Sequence, residues 1–315
     1  MDCQWTVGEV RWPVKEAWWQ SDKAGKPAQM KIILPREKPR PVLGEPLRME
    51  DATACRFAGY VFSIEEGPTH REVLAYDQKR YLMFRDTILV QNKTADQLLS
   101  MLARDMGLQL GQVASTGAPL DLAIIDKKLL DVMEQALAMT QEKNGRQYIL
   151  WDDGGALCLS EAGTLQSSIL LRQQSALTDY RTGENIDQDT YNVIKLAQNN
   201  RKKGVRTICV SKDENSAGHW GRLQYYARVD EKKGEGEVRA QAQTLLKQKN
   251  RPMRSLTLHA LGDTRCRAGF AIDWELDGQR DTGIISRALH HWKGAQYTMT
   301  LDVQSQDWQQ KEEGE

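Results

Sequence analysis

Apolar and polar residues alternate with a period of two over much of the first ninety residues, the signature of strands that bury one face. Val10, Trp12 and Val14 alternate with Arg11 and Pro13, and Met30, Ile32 and Leu34 alternate with Lys31 and Ile33. Turn formers bound these runs: Gly25 and Pro27 lie between them, and residues 35–46 hold four prolines and Gly44. Residues 57–64 and 72–76 predict a further pair of strands, joined across 65–69. Short strands at this spacing predict a small β-barrel or sandwich.

The period changes near residue 93. Thr94 and Gln97 form a capping-box signature, after which Ala95, Leu98, Leu99, Leu102 and Met106 recur at helical spacing until Gly107. A second helix is expected with Asp126 as its cap, Leu129, Leu130, Met133, Ala136 and Leu137 on its apolar face, and Asn144-Gly145 as its stop. Residues 147–151 and 156–159 then flank Asp152-Asp153-Gly154-Gly155, strong hairpin chemistry. Two helices and a hairpin suggest a compact α+β module. Beyond residue 160 the strand pattern returns at 191–196, 205–210, 255–261, 269–276 and 296–303. One helix is expected to interrupt it at 236–249, with Val238, Ala242, Leu245 and Leu246 on one face. These changes divide the chain into a β domain at 1–90, an inserted α+β domain at 91–165 and a second β domain at 166–315. The polar, acidic stretch from Trp308 to Glu315 reads as a frayed tail. No repeat at solenoid or propeller period is visible.

Length and composition fit a folded chain of about two domains: 315 residues, 40% hydrophobic and 27% charged. Lys and Arg equal Asp and Glu at 43 each, so no global field attracts nucleic acid or an anionic lipid surface. The local basic clusters are Lys31, Arg36, Lys38 and Arg40, and the run Arg201-Lys202-Lys203; both sit among turn formers and read as solvated loops. Cys3, Cys55, Cys158, Cys209 and Cys266 are odd in number and widely spaced, which argues against a disulfide framework or a zinc knuckle and for a reducing compartment. The amino terminus lacks the pattern of a secretory signal, and no apolar run approaches the roughly 20 residues that span a bilayer.

The chain shows no catalytic constellation. Gly-x-Ser-x-Gly, the Walker A loop and His-Glu-x-x-His are absent, and Gly234-Glu235-Gly236 lacks both the third glycine and the preceding buried strand of a dinucleotide loop. Of the five histidines, His70, His219, His259, His290 and His291, the one adjacent pair would face opposite sides of a strand and could not share a metal. Asp152-Asp153 and Glu65-Glu66 fall in turns, where carboxylates are expected for solvation and local hydrogen bonds. Nine tryptophans, with Trp18-Trp19 adjacent, are expected mainly in cores or subunit contacts. No catalytic, cofactor-binding or metal residue and no cofactor are therefore assigned.

One resemblance runs through the chain in order. The segments Gly25-Lys26-Pro27-Ala28-Gln29-Met30-Lys31-Ile32-Ile33-Leu34, Phe57-Ala58-Gly59-Tyr60-Val61-Phe62 and Ala75-Tyr76-Asp77-Gln78-Lys79-Arg80-Tyr81-Leu82 resemble the amino-terminal half of XkdQ/YqbQ-type tail proteins of PBSX-like prophages. Asn92-Lys93-Thr94-Ala95-Asp96, residues 107–117 and the 148–159 hairpin continue it in the family's order. Tyr191-Asn192-Val193-Ile194, Arg267-Ala268-Gly269 and the stretch from His290-His291-Trp292 to Met299-Thr300-Leu301-Asp302 close it.

The resemblance implies an α+β, β-rich chain with two tube-protein-like β-barrel domains around the small module. It further implies a non-enzymatic baseplate hub of a contractile phage tail, prophage tail or tail-like bacteriocin. Implied partners are two further copies in a homotrimer, a tail tube protein or tube initiator, the spike, and other baseplate proteins of wedge and LysM type; neither membrane nor specific nucleic acid is expected. Such a protein would assemble in the bacterial cytoplasm and end in the baseplate of the particle. Gly44 and Pro46, in the loop before Leu47, and Arg80-Tyr81 are the first places expected to make contacts, from loop position. A tail-carried peptidoglycan hydrolase and a polyanion- or glycan-binding module remain the alternatives.

Overall fold

A computed structural model describes residues 3–37, 39–187, 189–200, 205–231 and 233–304. The alternation at the start of the chain becomes seven strands: β1 (Gln4–Val7), β2 (Val10–Trp12), β3 (Glu16–Asp22), β4 (Gln29–Pro35), β5 (Pro46–Glu50), β6 (Cys55–Glu66) and β7 (His70–Tyr76). Met30, Ile32 and Leu34 of β4 are fully buried while Gln29, Lys31 and Ile33 are half-exposed, as a period of two requires. The expected strand through Val14 ends at Trp12, because Pro13 has no N–H to continue the ladder. A 3₁₀ turn (Gln78–Met83) follows, then β8 (Arg85–Lys93), α1 (Ala95–Met106), β9 (Leu110–Val113), β10 (Leu120–Lys128), α2 (Leu129–Asn144), β11 (Tyr148–Asp152) and β12 (Leu157–Glu161). The last part comprises β13 (Gln166–Arg172), β14 (Leu177–Asn185), β15 (Val193–Asn200), β16 (Val205–Lys212), α3 (Glu214–Trp220), β17 (Gln224–Val229), α4 (Glu235–Lys249), β18 (Met253–Leu261), β19 (Ala271–Leu276), β20 (Gln279–Lys293) and β21 (Gln296–Gln304).

The helix signals hold with one correction. Thr94 N–H is accepted by the Gln97 side chain at 3.2 Å, and Gly107 closes α1 at φ +67°. Asp126 is not the cap of α2. It lies within β10 at φ +50° with its carboxylate taken by Arg85 (2.7 Å), and the helix starts instead where the Leu129 N–H bonds the Phe84 carbonyl (2.9 Å), after Lys128. A second helix also interrupts the last part of the chain: α3, capped by Asp213 on the Ser216 N–H at 2.8 Å. It is too short to show an apolar stripe, and so carries no periodic signal. No helix among the described residues is long and apolar enough to cross a membrane.

The main sheet runs β14-β18-β21-β20-β3-β4-β7-β6-β5-β1-β2, with β19 joining β20 to β13. Strand β20 is the splice. Its first residues form a hairpin with β19, and residues 287–293 bond both to β21 and to β3, so that Trp19 pairs with His290 and Trp18 with His291. The two ends of the chain thereby share one hydrogen-bonded sheet.

The chain forms two compact units, Met1–Arg181 with Leu256–Glu315, and Thr182–Ser255. The first holds three apolar cores: one built on Trp19, Ile32, Leu47 and Val73, one on Leu99, Leu129, Met133 and Leu159, and one on Leu171, Leu258, Trp274 and Leu301. The second has its own core, in which Ile194 and Leu196 of the β16-β15-β17 sheet pack against Val238 and Ala242 of α4. The buried Asn192 ties this sheet to the loop before β17, accepting from Leu223 N–H (2.9 Å) and donating to the Gly221 carbonyl (2.8 Å).

At Gly59 packing leaves no room for a side chain. A Cβ on Gly59 would lie 2.2 Å from the Tyr76 carbonyl oxygen and 2.9 Å from Phe57 Cζ, where β6 crosses the end of β7. Because the closest atom is backbone, the strand itself must move. Gly59→Ala is expected to cost about 2 kcal/mol, the usual range for overpacking; a denaturant midpoint equal to the parent's would show that the strands can separate freely.

Candidate docking surface and its buried polar joint

The 3₁₀ turn at Gln78–Met83 presents two faces. Gln78, Lys79 and Leu82 turn inward and are buried, whereas Arg80 and Tyr81 face out beside β6. There Tyr60 and Phe62 sit two apart on one strand face, 39% and 36% exposed, with Phe84 53% exposed alongside. Tyr81 meets both rings at 6.0 Å, and Phe62 meets Tyr76 edge-on at 5.5 Å. The Arg80 guanidinium lies 5.1 Å over Phe62 and 5.9 Å from both Tyr76 and Phe84. It makes no hydrogen bond or ion pair with any described residue, so its five donors are held in place by rings and remain free. Tyrosine, phenylalanine and arginine in one exposed cluster match the composition of energetic centres of protein interfaces. The loop with Gly44 adds exposed Val42 and Leu43 (58% and 61%).

The inward face of the same turn belongs to a buried polar joint. Asp152 closes the β11–β12 hairpin by accepting from Gly155 N–H (2.7 Å) and reaches the Gln78 N–H at 3.4 Å. Gln78 in turn accepts from Gln109 N–H (2.9 Å) and donates to the Gly155 carbonyl. Arg267, from the loop before β19, donates to the Asp152 carbonyl and stands 3.6 Å from Asp153, stacked against Trp19 (5.2 Å), Trp151 (5.1 Å) and Phe270 (5.9 Å). Nearby, Asp51 accepts from Thr264 (2.5 Å) and Arg56 (2.6 Å). Two neighbouring clusters thus tie the first strands, the α+β segment and the last strands together, Asp51 and Arg56 with Thr264, and Gln78 and Asp152 with Arg267.

Burial sets the electrostatics of this joint. It raises the Asp77 carboxyl, against the opposing charge of Lys79, and pushes Asp152 up to about 7, helped by the Asp77 charge. Burial likewise lowers Arg267, opposed by Asp152, Asp153 and Asp77. At Asp51 burial acts upward, but hydrogen bonds from Thr264, Thr53 and Arg56 together outweigh it and hold the carboxyl well below its usual range. Of the reading of Asp152-Asp153 as turn carboxylates, the local hydrogen bond holds at Asp152, but its solvation is corrected, since Asp152 is 4% exposed and only Asp153 meets solvent. The hairpin turn is capped by a carboxylate folded back inside, and turn chemistry alone cannot tell that from one pointing to water.

Several other residues singled out in the sequence make contacts within the chain. Lys31 pairs with Glu72 (2.6 Å) over the Trp18 ring, Arg36 donates to the carbonyls of Gly67 and Pro68 (3.3 Å), and Arg40 pairs with Glu66 (2.7 Å). These three do not form an open polycation. Lys38, the run Arg201-Lys202-Lys203 and the tail from Trp308 to Glu315 lie outside the described residues. His290 and His291 do face opposite ways: His290 is buried on Trp19 (4.9 Å), and His291 stacks on Trp18 (4.9 Å) and bonds Glu16 (2.8 Å). Trp12, Trp19, Trp274 and Trp292 are core residues. Among the described residues no three His, Cys, Asp or Glu side chains converge as metal ligands.

This fold is that of phage tail proteins. It superposes on the tail protein from Neisseria meningitidis MC58 over 98% of this chain and 97% of that one, with TM-score 0.74 at 12% identity. It also superposes on the E. coli c3393 protein, a type VI secretion component described as similar to the T4 tail proteins gp27 and gp5, over 97% of this chain and 77% of that one, with TM-score 0.60 at 10% identity. By sequence the chain belongs to the YqbQ-like family, whose model matches residues 17–304. Two similar proteins of Bacillus subtilis are the uncharacterized protein YqbQ (28% identical, 78% of this chain and 77% of that one) and the phage-like element PBSX protein XkdQ (25% identical, with the same coverage). The resemblance read from the ordered segments is borne out.

Proposed function

We propose that this protein is a non-enzymatic baseplate hub of a phage-like contractile tail, a ring of three copies that joins the tail tube to the central spike. The observation that carries the reading is the superposition of nearly the whole chain on a secretion component that is itself similar to gp27 and gp5. The cores support the first two of the proposed domains, one core lying largely within residues 1–90 and one largely within 91–165, whereas residues 166–315 hold two cores, one in each compact unit. In this reading the first and last β portions are the two tube-like barrels, and wedge and LysM-type proteins surround the hub. Assembly takes place in the bacterial cytoplasm. Among the described residues the main sheet ends in β2, β13 and β14, and such edges gain from being paired or covered in a closed ring.

The Arg80 cluster is assigned to the contact with a neighbouring tail protein. Co-expression with the tube and spike proteins of the same particle should yield a complex containing three copies of this chain by mass photometry. Arg80→Ala should weaken that association roughly 30-fold, the effect of about 2 kcal/mol lost at an interface centre. A protein that stays monomeric beside both partners, or release of soluble fragments from purified cell wall, would overturn the proposal.

A further inference from the structure

The outward face of β3, β4 and β7 carries an open cleft of about 640 Å³, within the roughly 300–1,000 Å³ of ligand clefts. Strand register fixes its floor. Gln20 pairs with Gln29 and Gln29 with Tyr76, so two amides and a ring stand in one row across the three strands, while Trp19, Met30 and Ala75 beside them point into the core.

The charges around this floor are uneven. Lys26, Arg80 and Arg287 line the cleft against one carboxylate, Asp22. That carboxylate accepts from Gln20 Nε2 at 2.8 Å, and Gln20 Oε1 accepts from Arg287 at 3.3 Å and from Gln29 Nε2 at 3.4 Å. Arg287 is exposed and spends one N–H on that neutral oxygen, and at the other end of the row the Arg80 guanidinium stands 5.9 Å from the Tyr76 ring with its donors free. Among the described residues neither guanidinium is held by an ion pair. Neighbouring strands lie about 4.8 Å apart, so the row from Gln20 to Tyr76 is roughly 10 Å long, a span that two glutamates two residues apart on an extended chain can reach. Elsewhere on this face Lys31 is paired with Glu72 and His291 is bonded to Glu16, so no continuous basic track for a nucleic-acid backbone runs along it.

On the reading of the Arg80 cluster as a contact with a neighbouring tail protein, we propose that this cleft docks an extended acidic segment of that polypeptide, with one carboxylate on Arg80, a second on Arg287 and the backbone between them over Gln29. Planar guanidinium groups suit carboxylates, and the rings that hold Arg80 in place lower the cost of ordering it.

The test uses the peptide acetyl-Ser-Glu-Ser-Glu-Ser-amide, titrated into the full-length protein and followed by the side-chain Nε–H resonances of Arg80 and Arg287. Saturable binding is expected, at least about tenfold tighter than that of the same peptide with glutamine in place of glutamate, the lower end for one charge-assisted hydrogen bond. Arg80→Gln and Arg287→Gln should each remove most of that preference. Arg40→Ala, at a cation outside the cleft that is paired with Glu66, should leave it unchanged. An equal loss in all three variants would mean attraction by general surface charge, and an oligothymidylate that displaces the peptide at lower concentration would mean a nucleic-acid site; either overturns the proposal, as does a peptide that binds no better than its glutamine form. Assembly with the tube and spike proteins is read separately. A complex that forms while the acidic peptide shows no preference overturns the docking chemistry and leaves the hub in place, whereas a preferred peptide without any complex supports the cleft and counts against the hub.

Discussion

Arg267→Ala is expected to destabilise the protein by about 3–5 kcal/mol, the range for removing one partner from a buried charged network. Three losses coincide. The donor to the Asp152 carbonyl disappears, the positive charge among Asp77, Asp152 and Asp153 disappears, and a void opens between Trp19, Trp151 and Phe270. The substitutions Arg267→Lys and Arg267→Met separate these contributions. Lysine restores charge but not a planar fork that stacks on three rings, so it should recover less than half of the loss. Methionine restores part of the packing and leaves the carboxyls uncompensated, and should fall between alanine and the parent. Denaturant unfolding of the four proteins in parallel checks this, and a cost below about 1 kcal/mol for alanine would show that the joint carries little of the stability.

The location of that joint explains how much could be read in advance. Local pattern marked β4, β7 and α1 by a clean period, and β6 and the β11–β12 hairpin by apolar runs bounded by turn residues. It missed β3, where Ala17, Trp18 and Trp19 run together and Ser21 is the next inward residue, so alternation is hidden by a buried serine and an outward tryptophan. It missed β20 as well, whose two halves serve different neighbours and whose Gly283 lies against the Gln304 carbonyl. The pairing of Trp19 with His290 joins residues from opposite ends of the chain, and no window of local sequence contains both. The elements of residues 182–255 were legible as strands at 191–196 and 205–210 and a helix at 236–249, but not as a separate unit, since every residue of β16 is exposed or half-buried and only a small core lies beneath α4. The polar joint was legible as segments but not as a site: Asp77 to Arg80, the 148–159 hairpin and Arg267-Ala268-Gly269 all stood among the segments of family likeness, while their chemistry depends on burial that only the assembled fold supplies.

Burial also fixes how stability should change with pH, and two groups of the first unit act in opposite directions. Asp152 titrates near 3.8 in an unfolded chain and at about 7 here, because burial disfavours its charged form. Its contribution is therefore complete below about pH 4 and is lost as pH rises through 7, since over that interval the unfolded chain releases a proton that the folded chain keeps. His290 titrates near 6.5 unfolded and at about 4 here, again through burial. The Cys266 carbonyl 2.7 Å from Nε2 can only accept, so Nε2 carries the proton and Nδ1 accepts from the Tyr297 hydroxyl at 3.0 Å, which fills both sites of the neutral ring. Its contribution is complete above 6.5 and lost as pH falls through 4. Over the shared interval the two slopes cancel, and the parent should show a flat profile from these groups. Each substitution should expose the other slope. Asp152→Asn, relative to the parent, should gain up to about 4 kcal/mol between pH 4 and pH 8, and His290→Gln should recover up to about 3 kcal/mol of its deficit between pH 7 and pH 4. Both figures follow from about 1.36 kcal/mol for every tenfold difference in proton affinity between the folded and unfolded chain. Urea unfolding at four pH values reads both differences. Profiles of the two variants that run parallel to the parent would mean that neither side chain is held in its buried neutral form, and the joint would then have to be open to water.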